Sequence, residues 1–76
     1  MKAKYSHYGN DCIIHDQVIC EDNIVVTIRS YTSGWFDAQP EIQTTVCSTD
    51  EEAIQLFNKT CDNFEKQKYD CEYRET

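Results

Sequence analysis

Cysteine and histidine are the residues of this sequence best suited to binding a metal or acting as nucleophiles. Cys12 and His15 lie three positions apart, a spacing that can supply two zinc ligands. A structural zinc site needs four ligands, usually as two close pairs, and the remaining cysteines form no second close pair. If residues 12–20 form a strand, Cys12 and His15 also point to opposite faces. The sequence therefore predicts neither a metal site nor a cofactor.

Catalysis by a thiol requires a neighbouring base that lowers the pKa of the cysteine. The chain has five cysteines and two histidines, His7 and His15, and no pattern brings either histidine to a particular thiol. The two glycines, Gly9 and Gly34, are too few for a glycine-rich phosphate loop. We therefore predict that the chain is not an enzyme.

Charge is more informative than these residues. The 76-residue chain is of single-domain size, and fourteen acids against seven bases give a formal charge of −7. Such a surface disfavours direct contact with nucleic acid or an anionic membrane, and it suits a basic protein partner. The first twelve residues contain no apolar signal segment, which predicts a cytoplasmic protein with free thiols.

The apolar pattern predicts three strands, at residues 12–20, 24–31 and 41–47, with residues 1–11 as a loose arm or an edge strand. Helical spacing then begins, and Ile54, Phe57, Cys61 and Phe64 mark the apolar face of a helix over residues 49–69. Ser48 and Thr49 are both candidate N-caps.

The expected fold is α+β: a three-stranded antiparallel sheet packed against one long C-terminal helix (β-β-β-α), as a single domain over residues 1–76. One sheet face would then stay open, and its candidate residues are Ile13, Ile19, Val25 and Tyr31. The N-terminal segment, a second copy of the chain or another protein could cover that face.

Acidic residues also recur along the predicted helix. Continued past residue 69, an ideal helix places Glu51, Asp62, Glu65, Tyr69 and Glu72 near one line. These side chains are either a solvated polar face or a carboxylate array that stands in for phosphates, because carboxylates accept bidentate hydrogen bonds from arginine.

The segment SGWFDAQPE, residues 33–41, reads as a loop with an aromatic pair between acids. Trp35 can stack on arginine, and Asp37 and Glu41 can accept its hydrogen bonds. The alternative is that a ring folds back onto the helix end. We expect Phe36 to point inward and Trp35 to be at least partly exposed.

Length, charge, the predicted β-β-β-α layout and the SGWFDAQPE loop together resemble small acidic phage-encoded inhibitors of host defence, of the anti-CRISPR and anti-restriction type. Some inhibitors of this type act as DNA mimics. The resemblance implies a location in the host cytoplasm. The layout is also similar to three-stranded DNA-binding domains, but Arg29 is the only base between residues 5 and 58.

The leading hypothesis is thus a non-enzymatic inhibitor that binds a nucleic-acid-handling host protein and blocks its DNA or RNA site. The alternatives are an interaction or assembly module, homodimeric through the open sheet face, and a small metal-binding domain. The predicted partner-binding residues are Trp35, Asp37, Glu41, Glu51, Asp62, Glu65, Tyr69 and Glu72.

Overall fold

A computed structural model describes residues 1–9, 11–32 and 39–75. Its elements are five strands and one helix: β1 (Lys2–Tyr8), β2 (Ile13–Glu21), β3 (Ile24–Thr32), β4 (Glu41–Val46), α1 (Asp50–Lys66) and β5 (Asp70–Glu75). The strands form one antiparallel sheet in the order β4-β3-β2-β1-β5. In the described residues, no helix is long and apolar enough to cross a membrane.

The α+β class is confirmed, but the three-stranded β-β-β-α layout is wrong, because the sheet has five strands. Strand β1 is the first addition. Although its sequence is largely polar, its alternation places Ala3 and Tyr5 on the buried face, where both are fully buried. It lies between β2 and β5, so it is neither a loose arm nor an edge.

Strand β5 is the second addition, and it exists because α1 ends three residues earlier than predicted. Lys68 adopts a φ of 65°, a left-handed conformation that ends a helix. Its N–H donates to the carbonyl of Glu65 at 3.0 Å, and the N–H of Tyr69 donates to Phe64 at 3.1 Å. This is a Schellman ending, and the rings of Phe64 and Tyr69 stack across it at 5.4 Å.

The helix begins as its composition predicts. Of the two candidate N-caps, Thr49 takes the position, and its Oγ1 accepts from the N–H of Glu52 at 3.1 Å. The carboxylate of Glu52 in turn accepts from the N–H of Ser48 at 3.0 Å. The positive end of the helix favours the three acids in the first turn.

The core lies between one face of the sheet and α1. The helix buries Ala53, Phe57 and Cys61, each one turn apart. Ile54, which was predicted on this face, is instead 40% exposed. The buried residues of the sheet are Ala3, Tyr5, Val18, Cys20 and Val25.

The helix leaves the opposite sheet face uncovered. Strand alternation and the pairing registers put seven aliphatic residues there, and we refer to them as the open face: Ile13, Ile19, Ile24, Val26, Ile28, Ile42 and Val46. Ile42 and Val46 are 67% and 69% exposed. Val25 and Tyr31, predicted to lie on this side, are instead on the face that α1 covers, because β3 turns its odd-numbered residues toward the helix.

Candidate acidic interface

One end of the molecule brings together the β2–β3 turn and the start of α1. The N–H of Cys47 donates to the carbonyl of Asn23 at 2.7 Å. The side-chain amide of Asn23 donates back to the carbonyl of Cys47 at 2.9 Å. The turn itself is tight, with Asp22 at a φ of 55°, a conformation that Asp tolerates. These bonds fix the turn against the residues that lead into the helix.

Carboxylates concentrate at this end. Glu21 and Asp22 lie at the turn. Glu75 pairs with Lys2, and Lys2 pairs with Ile19 near the turn, so the last residue of β5 lies at the same end of the sheet. With the first turn of α1 they form a set that we name the acidic end: Glu21, Asp22, Asp50, Glu51, Glu52 and Glu75. All six are exposed.

The acidic end has six carboxylates and two nearby cations, the α-amino group of Met1 and Lys2 opposite Glu75. In the part of the chain that the structure describes, none of its six carboxylates forms an ion pair. The α-amino group of Met1 lies nearby and donates to the carbonyl of Cys20 at 3.1 Å. The carboxylates are therefore exposed hydrogen-bond acceptors on a braced backbone, which suits arginine or lysine side chains of a partner.

Two carboxylates of the predicted array have a different role. Asp62 and Glu65 both bind Arg74, and the Nη1–Oδ1 distance to Asp62 is 3.0 Å. Nη2 of Arg74 donates to Oδ1 of Asn58 at 3.1 Å. The hydroxyl of Tyr5 donates to Glu65 at 3.3 Å. These contacts fasten β5 to α1 and reduce the charge that Asp62 and Glu65 offer to a partner.

The array does not form one line, because α1 ends at Lys66 before Tyr69 and Glu72. Glu72 lies on β5, and its Oε2 is 3.5 Å from Nζ of Lys4. The ring of Tyr69 stacks on His7, with centroids 4.7 Å apart. Of the predicted helix residues, Glu51 alone belongs to the acidic end.

The remaining predicted contacts lie elsewhere. Glu41 is exposed and begins the edge strand β4, opposite Arg29 of β3. Trp35 and Asp37, with the expectation that Trp35 is exposed and Phe36 inward, lie outside the described residues. Glu41 and the acidic end are at opposite ends of the sheet, because β4 runs from Glu41 at one end to Val46 at the other.

A partly buried ion pair on the helix side of the sheet was not foreseen. Nε of Arg29 donates to Oδ1 of Asp16 at 2.8 Å, and Nη2 donates to Oδ2 at 3.2 Å. The hydrogen bond to Asp16 raises the pKa of the Arg29 guanidinium. The pair forms part of a groove of about 490 Å³ between α1 and strands β3 and β4. Each side chain compensates the charge of the other through two hydrogen bonds, so we interpret the pair as a structural contact.

Two of the five thiols, those of Cys20 and Cys61, are buried. Burial raises the pKa of the Cys20 and Cys61 thiols, which favours the unreactive protonated form. Cys71 is exposed. Among the described residues, no group of three or more His, Cys, Asp and Glu side chains is arranged to hold a metal ion.

Comparisons of the chain with protein-family models, with curated proteins and with solved structures find no match. Its function must therefore be inferred from its own charge and geometry.

Proposed function

We propose that this chain is a non-enzymatic inhibitor that binds a basic, nucleic-acid-handling protein through its acidic end. The supporting observation is the gathering of six exposed carboxylates, none ion-paired within the described residues, at one end of the fold. The partner would be a protein such as a CRISPR effector or a restriction-type enzyme, as in the inhibitors that the sequence resembles.

The geometry suits such a partner because the carboxylates come from three separate elements. Asp22 belongs to the β2–β3 turn, Glu51 to the first turn of α1 and Glu75 to the end of β5. A nucleic-acid groove presents arginine and lysine at intervals, and each can meet a carboxylate as it would meet a phosphate oxygen. A rigid set of acceptors loses less entropy on binding than flexible side chains on an unfolded segment.

The inhibition would be steric. Occupation of the basic groove by the acidic end excludes DNA or RNA from the same residues. The net charge of −7 also accelerates the encounter with a positively charged surface, and salt weakens both effects.

The other predicted contact residues lie outside the acidic end. Glu41 lies at the other end of the sheet, and the part that Trp35, Asp37 and Glu41 play in binding stays a prediction. Asp62, Glu65 and Glu72 would contribute chiefly by holding the scaffold together, since they bind Arg74 and Lys4.

The test is capture of the partner from a host lysate with two variants of equal net charge. The first, Asp22→Asn with Glu51→Gln, removes two carboxylates of the acidic end. The control, Asp11→Asn with Asp70→Asn, removes two exposed carboxylates elsewhere. The proposal expects weaker capture by the first variant only, by about tenfold in affinity, or about 1.4 kcal/mol. Equal capture by both variants would show that only overall charge matters.

The second candidate function is an assembly module, and the open face favours it. Ile42 and Val46 expose two-thirds of their surface at the margin of that face. Such a patch commonly marks a protein contact. Salt separates the two functions, because raised ionic strength weakens contacts between carboxylates and arginine but leaves apolar and backbone contacts intact.

A further inference from the structure

The two edges of the sheet are built differently. β5 carries a register irregularity opposite Lys4 and Tyr5, and four of its six residues are charged, which are devices that discourage pairing with another strand. β4 has a regular register with β3 and one charged residue, Glu41, at its first position. All six of its residues are exposed. One edge is protected and the other is open to another strand.

The backbone groups that β4 offers can be identified. The N–H of Cys47 bonds to Asn23 of the β2–β3 turn, so in the antiparallel ladder Thr45, Gln43 and Glu41 also direct their N–H and C=O groups toward β3. The intervening residues therefore direct theirs outward, away from the sheet: Ile42, Thr44 and Val46.

These three outward residues are self-complementary. An antiparallel copy of β4 centred on Thr44 places Ile42 opposite Val46 of the second copy, and Thr44 opposite Thr44. Each of these opposed positions can exchange a pair of backbone hydrogen bonds. A register centred on Gln43 instead opposes Val46 to Pro40, which has no N–H to donate.

We propose that β4 pairs with β4 of a second copy of this chain, antiparallel and centred on Thr44, to form a two-fold dimer with a continuous sheet. The proposal gives the assembly candidate a specific interface and does not depend on the acidic end. A two-fold interface uses the same patch on both subunits, as this strand allows.

Charge does not oppose this pairing within the strand. Glu41 lies opposite Cys47 of the second copy, so no two acids of β4 face each other. The antiparallel arrangement also directs the two acidic ends away from each other. The aliphatic side chains of Ile42 and Val46 gain cross-strand neighbours on the open face.

Charged substitutions of Thr44, the residue that faces itself across the two-fold axis, test the proposal. Sedimentation of the full chain from about 1 µM to 1 mM should show mass rising toward twice the 8.9 kDa of one chain. Thr44→Lys and Thr44→Glu each place like charges directly opposite, so each variant alone should stay monomeric. Mixing the two should restore a dimer containing one of each.

Thr44→Val serves as the neutral control and should dimerise like the parent chain. Circular dichroism spectra of all variants should match, because position 44 is exposed and its backbone groups point away from β3. The dimer should persist at raised salt, unlike binding through the acidic end.

Two results would overturn the proposal. If the chain stays monomeric over the whole concentration range, β4 does not pair with a second copy, and a strand of another protein becomes the candidate partner of this edge. A dimer that survives Thr44→Lys unchanged would place the contact elsewhere, for example on the open face.

Discussion

Arg74 of β5 donates from Nη1 to Oδ1 of Asp62 on α1 at 3.0 Å. The same guanidinium binds Glu65 and Asn58, which lie on the same side of the helix. One arginine thus joins the last strand to the helix and occupies two carboxylates that the sequence had suggested for a partner. The carboxylates of the acidic end, by contrast, form no ion pair within the described residues.

Arg74 should therefore matter for stability. Its side chain is 24% exposed, and replacing it leaves Asp62 and Glu65 as repelling neighbours. Arg74→Met should lower the free energy of unfolding by about 1–2 kcal/mol in urea denaturation. The free energy of unfolding of Arg74→Lys should lie between those of the parent chain and Arg74→Met, because lysine keeps the charge but lacks the planar guanidinium group.

Lys66→Met is the control for this measurement. Lys66 is exposed in the last turn of α1 and forms no ion pair within the described residues. Its loss should change the unfolding free energy by less than about 0.5 kcal/mol. An Arg74→Met effect no larger than that of Lys66→Met would contradict the role of Arg74 as a clasp.

Variants of the Asp16–Arg29 ion pair should show a larger loss of unfolding free energy that a second substitution partly restores. The side chain of Asp16 is 7% exposed, so Arg29→Met leaves a nearly buried carboxylate without its partner. We expect a loss of about 3 kcal/mol. Adding Asp16→Asn should restore part of that stability, because a neutral amide costs less to bury than a charge. Urea unfolding compares the two variants. A double variant no more stable than Arg29→Met would disprove this explanation.

Stability should fall at alkaline pH. Burial raises the pKa of the Cys20 and Cys61 thiols above their ordinary value of 9.0, and burial likewise raises the pKa of the Tyr5 hydroxyl. Above about pH 9 the unfolded chain therefore loses these protons before the folded chain does. The unfolding free energy is unaffected by these groups below that range and falls as pH rises through it.

The slope should approach about 1.4 kcal/mol per pH unit for each buried thiol. Cys61→Ser should reduce the slope between pH 9 and pH 10.5, and Cys71→Ser, which removes an exposed thiol, serves as the control. Urea midpoints collected over that range measure the effect. Identical slopes for the two variants would show that Cys61 is not responsible.

The sequence revealed most about the segments with strong periodicity. The two strands of the β2–β3 hairpin and the helix start at Thr49 followed from β-branched alternation and from capping chemistry. β1 was predicted only as a loose arm or an edge strand, and β5 was missed, because KAKYSHY and DCEYRE contain few aliphatic residues. Their pairing depends on contacts between distant segments, which local propensity does not encode.

The helix end was missed for a related reason. Its left-handed residue is Lys68, and glycine is the usual signal for that conformation. The predicted line of carboxylates depended on continuing the helix past this point. With the correct end, Glu72 falls on a strand and Tyr69 in the turn that precedes it.

The Asp16–Arg29 contact, by contrast, was within reach of the sequence. A two-residue turn at Asp22 and Asn23 sets a register in which Glu21 opposes Ile24 and Asp16 opposes Arg29. Opposite charges on directly facing positions are a recognised stabilising pair. The acidic end required the fold itself, because Glu75 reaches it only through β5.

Displacement of nucleic acid from the partner is the decisive measurement of whether the acidic end occupies the nucleic-acid site. The captured partner is loaded with labelled DNA or RNA, and release of the label is followed as this protein is added at two ionic strengths. We expect release by the parent chain and by Asp11→Asn with Asp70→Asn. Release by Asp22→Asn with Glu51→Gln should need about tenfold more protein. Raised salt should weaken release by all three proteins. A partner that binds the chain yet retains its nucleic acid would contradict the claim that the acidic end occupies that site.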